Sequence, residues 1–123
     1  MSTIKATTLS NLAGSQTVPM DTVAQGSAKA WVNFNGTGTV AIRRAFNVSS
    51  ITDNGTGDYT VNFTNAMVDA NYAVVTFGGK SGFAFGIGLE AAAAPSTTAY
   101  RYLTYGSSFT LVDVPVNNVA IFS

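Results

Sequence analysis

The chain contains no cysteine and no histidine. Without cysteine there is no disulfide and no thiol nucleophile, and without either residue the usual zinc ligand sets are excluded. Without histidine there is no Ser–His–Asp or Cys–His nucleophile and no imidazole base. Charge is also scarce. Asp, Glu, Lys and Arg make up 10% of 123 residues and cancel to a formal net charge of zero. A nucleic-acid binder needs a surplus of Lys and Arg to displace counterions, so no nucleic-acid partner is expected. No window is apolar for long enough to cross a bilayer, so no membrane insertion is expected. The first residues lack the basic-then-apolar pattern of a signal peptide, which points to synthesis and use without classical secretion.

Carboxylates are too few for most acid–base enzymes. Glu90 is the only glutamate, beside Asp21, Asp53, Asp58, Asp69 and Asp113. A two-carboxylate glycan hydrolase would have to be built on Asp53 and Asp58, which flank one turn. Turn capping explains such aspartates more simply. The same turn lacks the ligand density of a calcium loop, and no metal or cofactor is expected. Gly78-Gly79-Lys80-Ser81 lacks the upstream glycine of a phosphate loop and reads as a turn. Of the pair Arg43-Arg44, one member is expected to face solvent and the other to meet a carboxylate across the sheet or a subunit boundary. The chain is therefore expected not to be an enzyme.

What is present is β pattern. Apolar residues form 46% of the sequence, enough for one core, and Asn, Ser, Thr and Gly replace charge on the surface. Ala30, Val32 and Phe34 alternate with Trp31 and Asn33; Tyr59, Val61 and Phe63 alternate with Thr60 and Asn62. Asn54-Gly55 favours a tight hairpin turn before the latter run. Further strands are expected at 72–77, 83–89, 100–105, 109–114 and 119–122. The one helix-compatible stretch is Glu90-Ala91-Ala92-Ala93-Ala94, which Pro95 ends. The expected fold is all-β: an antiparallel, jelly-roll-like β-sandwich of about eight strands over residues 28–123.

Residues 1–27 fit neither the helical nor the strand period. Ile4, Leu9, Leu12 and Val18 are scattered through Ser, Thr, Ala and Gln. The segment reads as an extended N-terminal arm that docks on a neighbouring chain or partner surface, or lies along its own domain. Two further candidates follow from pattern. Ala84, Gly86 and Gly88 give one strand a face nearly free of side chains, a possible subunit contact or plain sheet packing. Tyr100, Tyr102 and Tyr105 beside Arg101 suit glycan or protein recognition, or else line a sheet face.

The run Ala30-Trp31-Val32-Asn33-Phe34-Asn35-Gly36-Thr37-Gly38 is followed by Phe46-Asn47-Val48-Ser49-Ser50-Ile51-Thr52-Asp53-Asn54-Gly55-Thr56-Gly57-Asp58-Tyr59-Thr60-Val61-Asn62-Phe63, then Ala66-Met67 and Asp69-Ala70-Asn71-Tyr72. This resembles a module of tail-fibre and other surface proteins of tailed bacteriophages, and Ser2-Thr3-Ile4-Lys5 is similar to their start. The match covers residues 28–76 and the first few residues; residues 78–123 match no family pattern. Val68 stands where that module often carries proline. The resemblance implies a virion surface protein, usually homotrimeric, made in the bacterial host. Its partners would be copies of itself and the major capsid protein or tail proteins. The chain has no repeats or heptads for a fibre shaft. An arm plus one β domain therefore suits a capsid decoration (cement or head-fibre) protein. The alternative is a short tail-fibre or tail-tip protein that recognises a host surface glycan.

Overall fold

A computed structural model describes residues 1–80, 83–84, 86–89 and 94–123. Its elements are β1 (Thr8–Ser10), β2 (Thr17–Pro19), α1 (Met20–Gly26), β3 (Ala30–Asn35), β4 (Ala41–Phe46), β5 (Val48–Gly55), β6 (Asp58–Phe63), β7 (Ala73–Lys80), β8 (Phe83–Ala84), β9 (Gly86–Leu89), β10 (Ala99–Tyr105) and β11 (Val116–Phe122). The fold is an all-β antiparallel sandwich. One sheet has the order β4-β3-β11-β7-β8 and the other β5-β6-β10-β9, while β1 and β2 form a separate hairpin.

The chain builds this sandwich as local hairpins dealt alternately to the two sheets: β3–β4, β5–β6, β7–β8, β9–β10, and then β11 returning between β3 and β7. Period-two alternation decides which side chains enter. Ala30, Val32 and Phe34 of β3 and Tyr59, Val61 and Phe63 of β6 are buried, with Tyr100 and Tyr102 of β10 and Val119 and Ile121 of β11. Aromatic rings carry the core from end to end. Phe34 meets Tyr59 edge-on at 5.3 Å, Tyr102 stacks on Tyr100 at 6.2 Å, and Tyr72 links Tyr100 to Phe63 at 6.4 and 6.0 Å. Such contacts add roughly 0.5–1.5 kcal/mol each beyond area burial.

Two places move the chain between sheets with almost no connecting residues. Asn47 alone separates β4 from β5 and takes a left-handed backbone, φ 53°. Its amide satisfies the corner: Nδ2 donates to the carbonyls of Lys29 (3.0 Å) and Asn65 (3.1 Å), and Oδ1 accepts from the Asn65 N–H (2.8 Å). The other place lies between β8 and β9.

Several expectations change here. The strand expected at 83–89 is two strands in different sheets. Ala84 pairs with Gly79, whereas Gly86 and Gly88 pair with Tyr105 and Leu103. A chain that changes sheets no longer presents alternate residues on one face, so these three do not form one small-residue surface. Phe85 lies outside the described residues, as do Ser81, Gly82 and Glu90 to Ala93 of the helix-compatible stretch. Gly78, Gly79 and Lys80 end β7 instead of forming a turn. The strand expected at 109–114 is irregular, with only a bridge from Leu111 to Tyr105. Phe109 there has φ 56°, which breaks an extended run, and Asp113 turns inward.

Residues 1–27 hold a hairpin and one short helix, not a single extended run. The strands are three residues long and the helix seven, too short to leave a period in the sequence.

Candidate docking surfaces

The strands give the sandwich two ends. At one end the arm enters β3: the Lys29 N–H donates to the Ile121 carbonyl at 2.7 Å, beside the Asn47 corner. Beyond this root, Ile4, Leu9, Leu12 and Val18 are all exposed. Leu9 stands directly opposite Val18 in the β1–β2 ladder, and Thr8, Ser10 and Thr17 are exposed as well. The turn between these strands is tightly closed. Asn11 N–H donates to the Gln16 carbonyl and Gly14 N–H to the Asn11 carbonyl, both at 3.0 Å, and Gln16 N–H donates to Asn11 Oδ1 at 3.2 Å.

At the opposite end a polar cluster locks the loops. The Tyr59 hydroxyl stands 2.8 Å from both the Gly36 carbonyl and Asp113 Oδ1, as their donor. Asp113 Oδ1 also accepts from the Gly57 N–H at 2.7 Å. Gly57, at φ 64°, has no room for a side chain: a Cβ would meet the Thr104 carbonyl and Val112 N at 2.7 Å. Above this floor the loop over residues 106–110 closes through Gly106 N–H to the Thr110 carbonyl at 2.8 Å. It carries Phe109, 88% exposed on a left-handed backbone. A bulky residue held there marks a position whose conformation the surroundings impose.

The outer faces of the two sheets differ in chemistry. On the four-stranded sheet, Asn62 Nδ2 donates to Thr52 Oγ1 (2.9 Å) and Asn54 Nδ2 to Thr60 Oγ1 (2.8 Å). Arg101 there grips Asp58 through Nε (2.8 Å) and an ion pair at 2.5 Å. This guanidinium holds the Asp58 carboxyl below the usual carboxylate range, against the opposing effect of partial burial. The five-stranded sheet instead shows Phe46, Trp31, Ala120 and Val75 in one row across β4, β3, β11 and β7, with Asn33, Asn118 and Phe77 in the next. Val75 and Phe77 are each 61% exposed. Small Ala120 and Asn118 leave a groove of about 290 Å³ along β11, walled by Trp31 on one side and by Val75 and Phe77 on the other.

Of the three tyrosines, Tyr100 and Tyr102 line the inner sheet face, the second of the two readings their spacing allowed, and do not form a receptor surface. Tyr102 is 0% and Tyr100 8% exposed, in the aromatic core, and only Tyr105 is half-buried. Burial raises the hydroxyl pKa of both, and pushes that of Tyr72 up to about 12. Sequence alternation put Tyr100 and Tyr102 on one face of β10; it gave no sign that this face was the inner one. Asp53 accepts from the Gly55 N–H at 3.0 Å as a turn cap, and Asp58 is taken by Arg101. Arg43 donates to the Pro115 carbonyl at 2.6 Å in place of a carboxylate, and Arg44 is exposed. Among the described residues, no three His, Cys, Asp or Glu gather as a metal site. The groove and Phe109 had no sequence signal beyond an apolar residue at an outward strand position and an aromatic among turn residues.

No protein-family model, curated protein or solved structure matches this chain.

Proposed function

We propose that this chain is a structural protein of a tailed-bacteriophage virion, a homotrimeric capsid decoration protein with a binding role and no catalytic one. The observation that carries the reading is the arm: an uncharged hairpin with Leu9, Leu12 and Val18 exposed, rooted at one end of a sandwich whose own core is complete without it. The resemblance of residues 28–76 to phage surface modules supports the virion setting. Fully burying an apolar side chain contributes roughly 1.5–3 kcal/mol. Ile4 and Leu12 are fully exposed and Leu9 and Val18 about half, so covering all four contributes on the order of 4–9 kcal/mol, before the cost of association. One arm is a weak anchor on that arithmetic, and three arms of a trimer gain avidity. Deleting residues 1–27 is expected to strip the protein from particles, read as its band in purified virions; full occupancy by the truncated chain contradicts the reading.

A second reading, a tail-tip protein that binds a host surface glycan or protein, draws on Phe109. It stands at the end of the sandwich away from the arm. In that case soluble protein binds host cells and Phe109→Ala abolishes binding; absence of cell binding at high concentration rules this reading out.

A further inference from the structure

We infer that the hairpin of one copy's arm lies in the groove along β11 of a second copy, so that copies of this chain clip together head to tail. The inference rests on the reading of the chain as an assembly module; it assigns the β1–β2 hairpin to a neighbouring copy, which holds the copies together on the particle, and leaves Ile4 and the residues around it for the shell.

The hairpin cannot be stable for its own sake. Two paired strands are marginal in water even when longer than the three residues of β1 and β2, and every residue of those strands is exposed. Yet its turn is specific. Asn11 closes it with both backbone groups and both amide atoms, Nδ2 donating to Ser15 Oγ at 2.9 Å, and holds Leu12 at the tip. A closed turn that presents an unburied leucine, with Leu9 and Val18 side by side behind it, is built to be covered.

The groove has the complementary chemistry. Its walls are Trp31, Val75 and Phe77, and its floor is Ala120 and Asn118. Asn118 Oδ1 already accepts from Asn33 Nδ2 at 2.7 Å, a pair that stays made when the floor is covered, while the Asn118 Nδ2 donors are left to meet a carbonyl of the incoming segment. Residues 6–20 carry no charge, and neither does any residue lining the groove. Closing one on the other desolvates no ion of the groove itself; the exposed Arg44, opposite Asn33, stays at its edge.

Area argues against the simpler pairing of two sheet faces. Exposed parts of Phe46, Val75 and Phe77 offer roughly 300 Å², taking 150–250 Å² for a whole aromatic side chain. A stable interface buries about 800 Å² on each partner. The chain's own groove stays open, with Phe77 exposed. Each copy then gives one arm and receives one, a heterologous contact that closes into a ring if the rotation allows.

The test uses the full chain in solution, by size-exclusion chromatography with light scattering. Leu12→Asp breaks the arm and Phe77→Asp breaks the groove; both positions are exposed, and circular dichroism checks each fold. Wild type is expected to assemble, and each variant to need at least about tenfold more protein to do so, since each buries a carboxylate. An equimolar mixture of the two variants recovers a heterodimer, because an intact arm again meets an intact groove. A monomeric wild type, a Leu12→Asp chain that assembles like wild type, or a mixture that stays monomeric overturns the inference. These masses are read without particles, so they stand apart from whether the chain is found on a virion.

Discussion

Tyr59 and Tyr102 sit side by side with ring centroids 5.9 Å apart, but their hydroxyls differ. That of Tyr59 is held by Gly36 and Asp113, while that of Tyr102 is buried with no hydrogen-bond partner among the described residues. Tyr59→Phe is therefore expected to cost about 1–2 kcal/mol, and Tyr102→Phe to leave stability unchanged or raise it by up to about 1 kcal/mol, in urea titrations. The buried phenols also set an alkaline limit. Tyr72, raised from 10.0 to about 12, binds its proton more tightly folded than unfolded. Its contribution is complete below pH 10 and is lost as pH rises toward 12. Near-ultraviolet dichroism should hold until phenolate absorbance appears and then collapse with it. At the corner, Asn47→Ala loses four side-chain bonds and places a Cβ-only residue at φ 53°, for an expected loss of about 2–3 kcal/mol. Asn47→Gly keeps the backbone and should lose less.

Strands β3 and β6 were legible because their inner residues are apolar and their outer ones are Asn, Asp, Thr or Trp, a strict period of two; β11 has the polar Asn117 inside and Ala120 and Phe122 outside. The hairpin of β5 and β6 was legible from its turn residues, though the positive φ angles fall on Gly55 and Gly57 and not on Asn54. Gly57→Ala is expected to cost about 3 kcal/mol or more, since its Cβ would strike the Thr104 and Val112 backbone. What escaped the sequence was everything decided by long-range packing. Alternation cannot tell an inner face from an outer one when both hold aromatics, so Tyr100 and Tyr102 were candidates for the surface and Trp31 and Phe77 were not. A strand that changes sheets looks continuous, which joined β8 to β9. The arm's hairpin rests on Asn11, one residue in a polar tract. On the polar sheet, Asp58 belongs to the unfolded carboxylate range only when Arg101 is lost. With its pKa lowered in the fold, its stabilising effect is present above about pH 4 and fades as pH falls through the folded value. Asp58→Asn should cost about 1 kcal/mol near neutrality and flatten that acid dependence.

At the scale of the whole molecule the chain has a plan. A sandwich closed by its own aromatic core carries an arm with an uncharged hairpin at one end and Phe109 at the other, with one sheet face polar and self-paired and the other largely apolar and open. Its open surfaces are the hairpin, the apolar sheet face and Phe109. A decoration protein on this plan turns its arm toward the shell and adjoining copies and its Phe109 loop outward. The most direct measurement is an image reconstruction of the intact particle at a resolution that traces the chain. The account predicts copies of the sandwich on the outer shell, with residues 1–27 buried at their base and the 106–110 loop facing solvent. Copies held by the 106–110 loop with their arms free, or a particle without them, would contradict it.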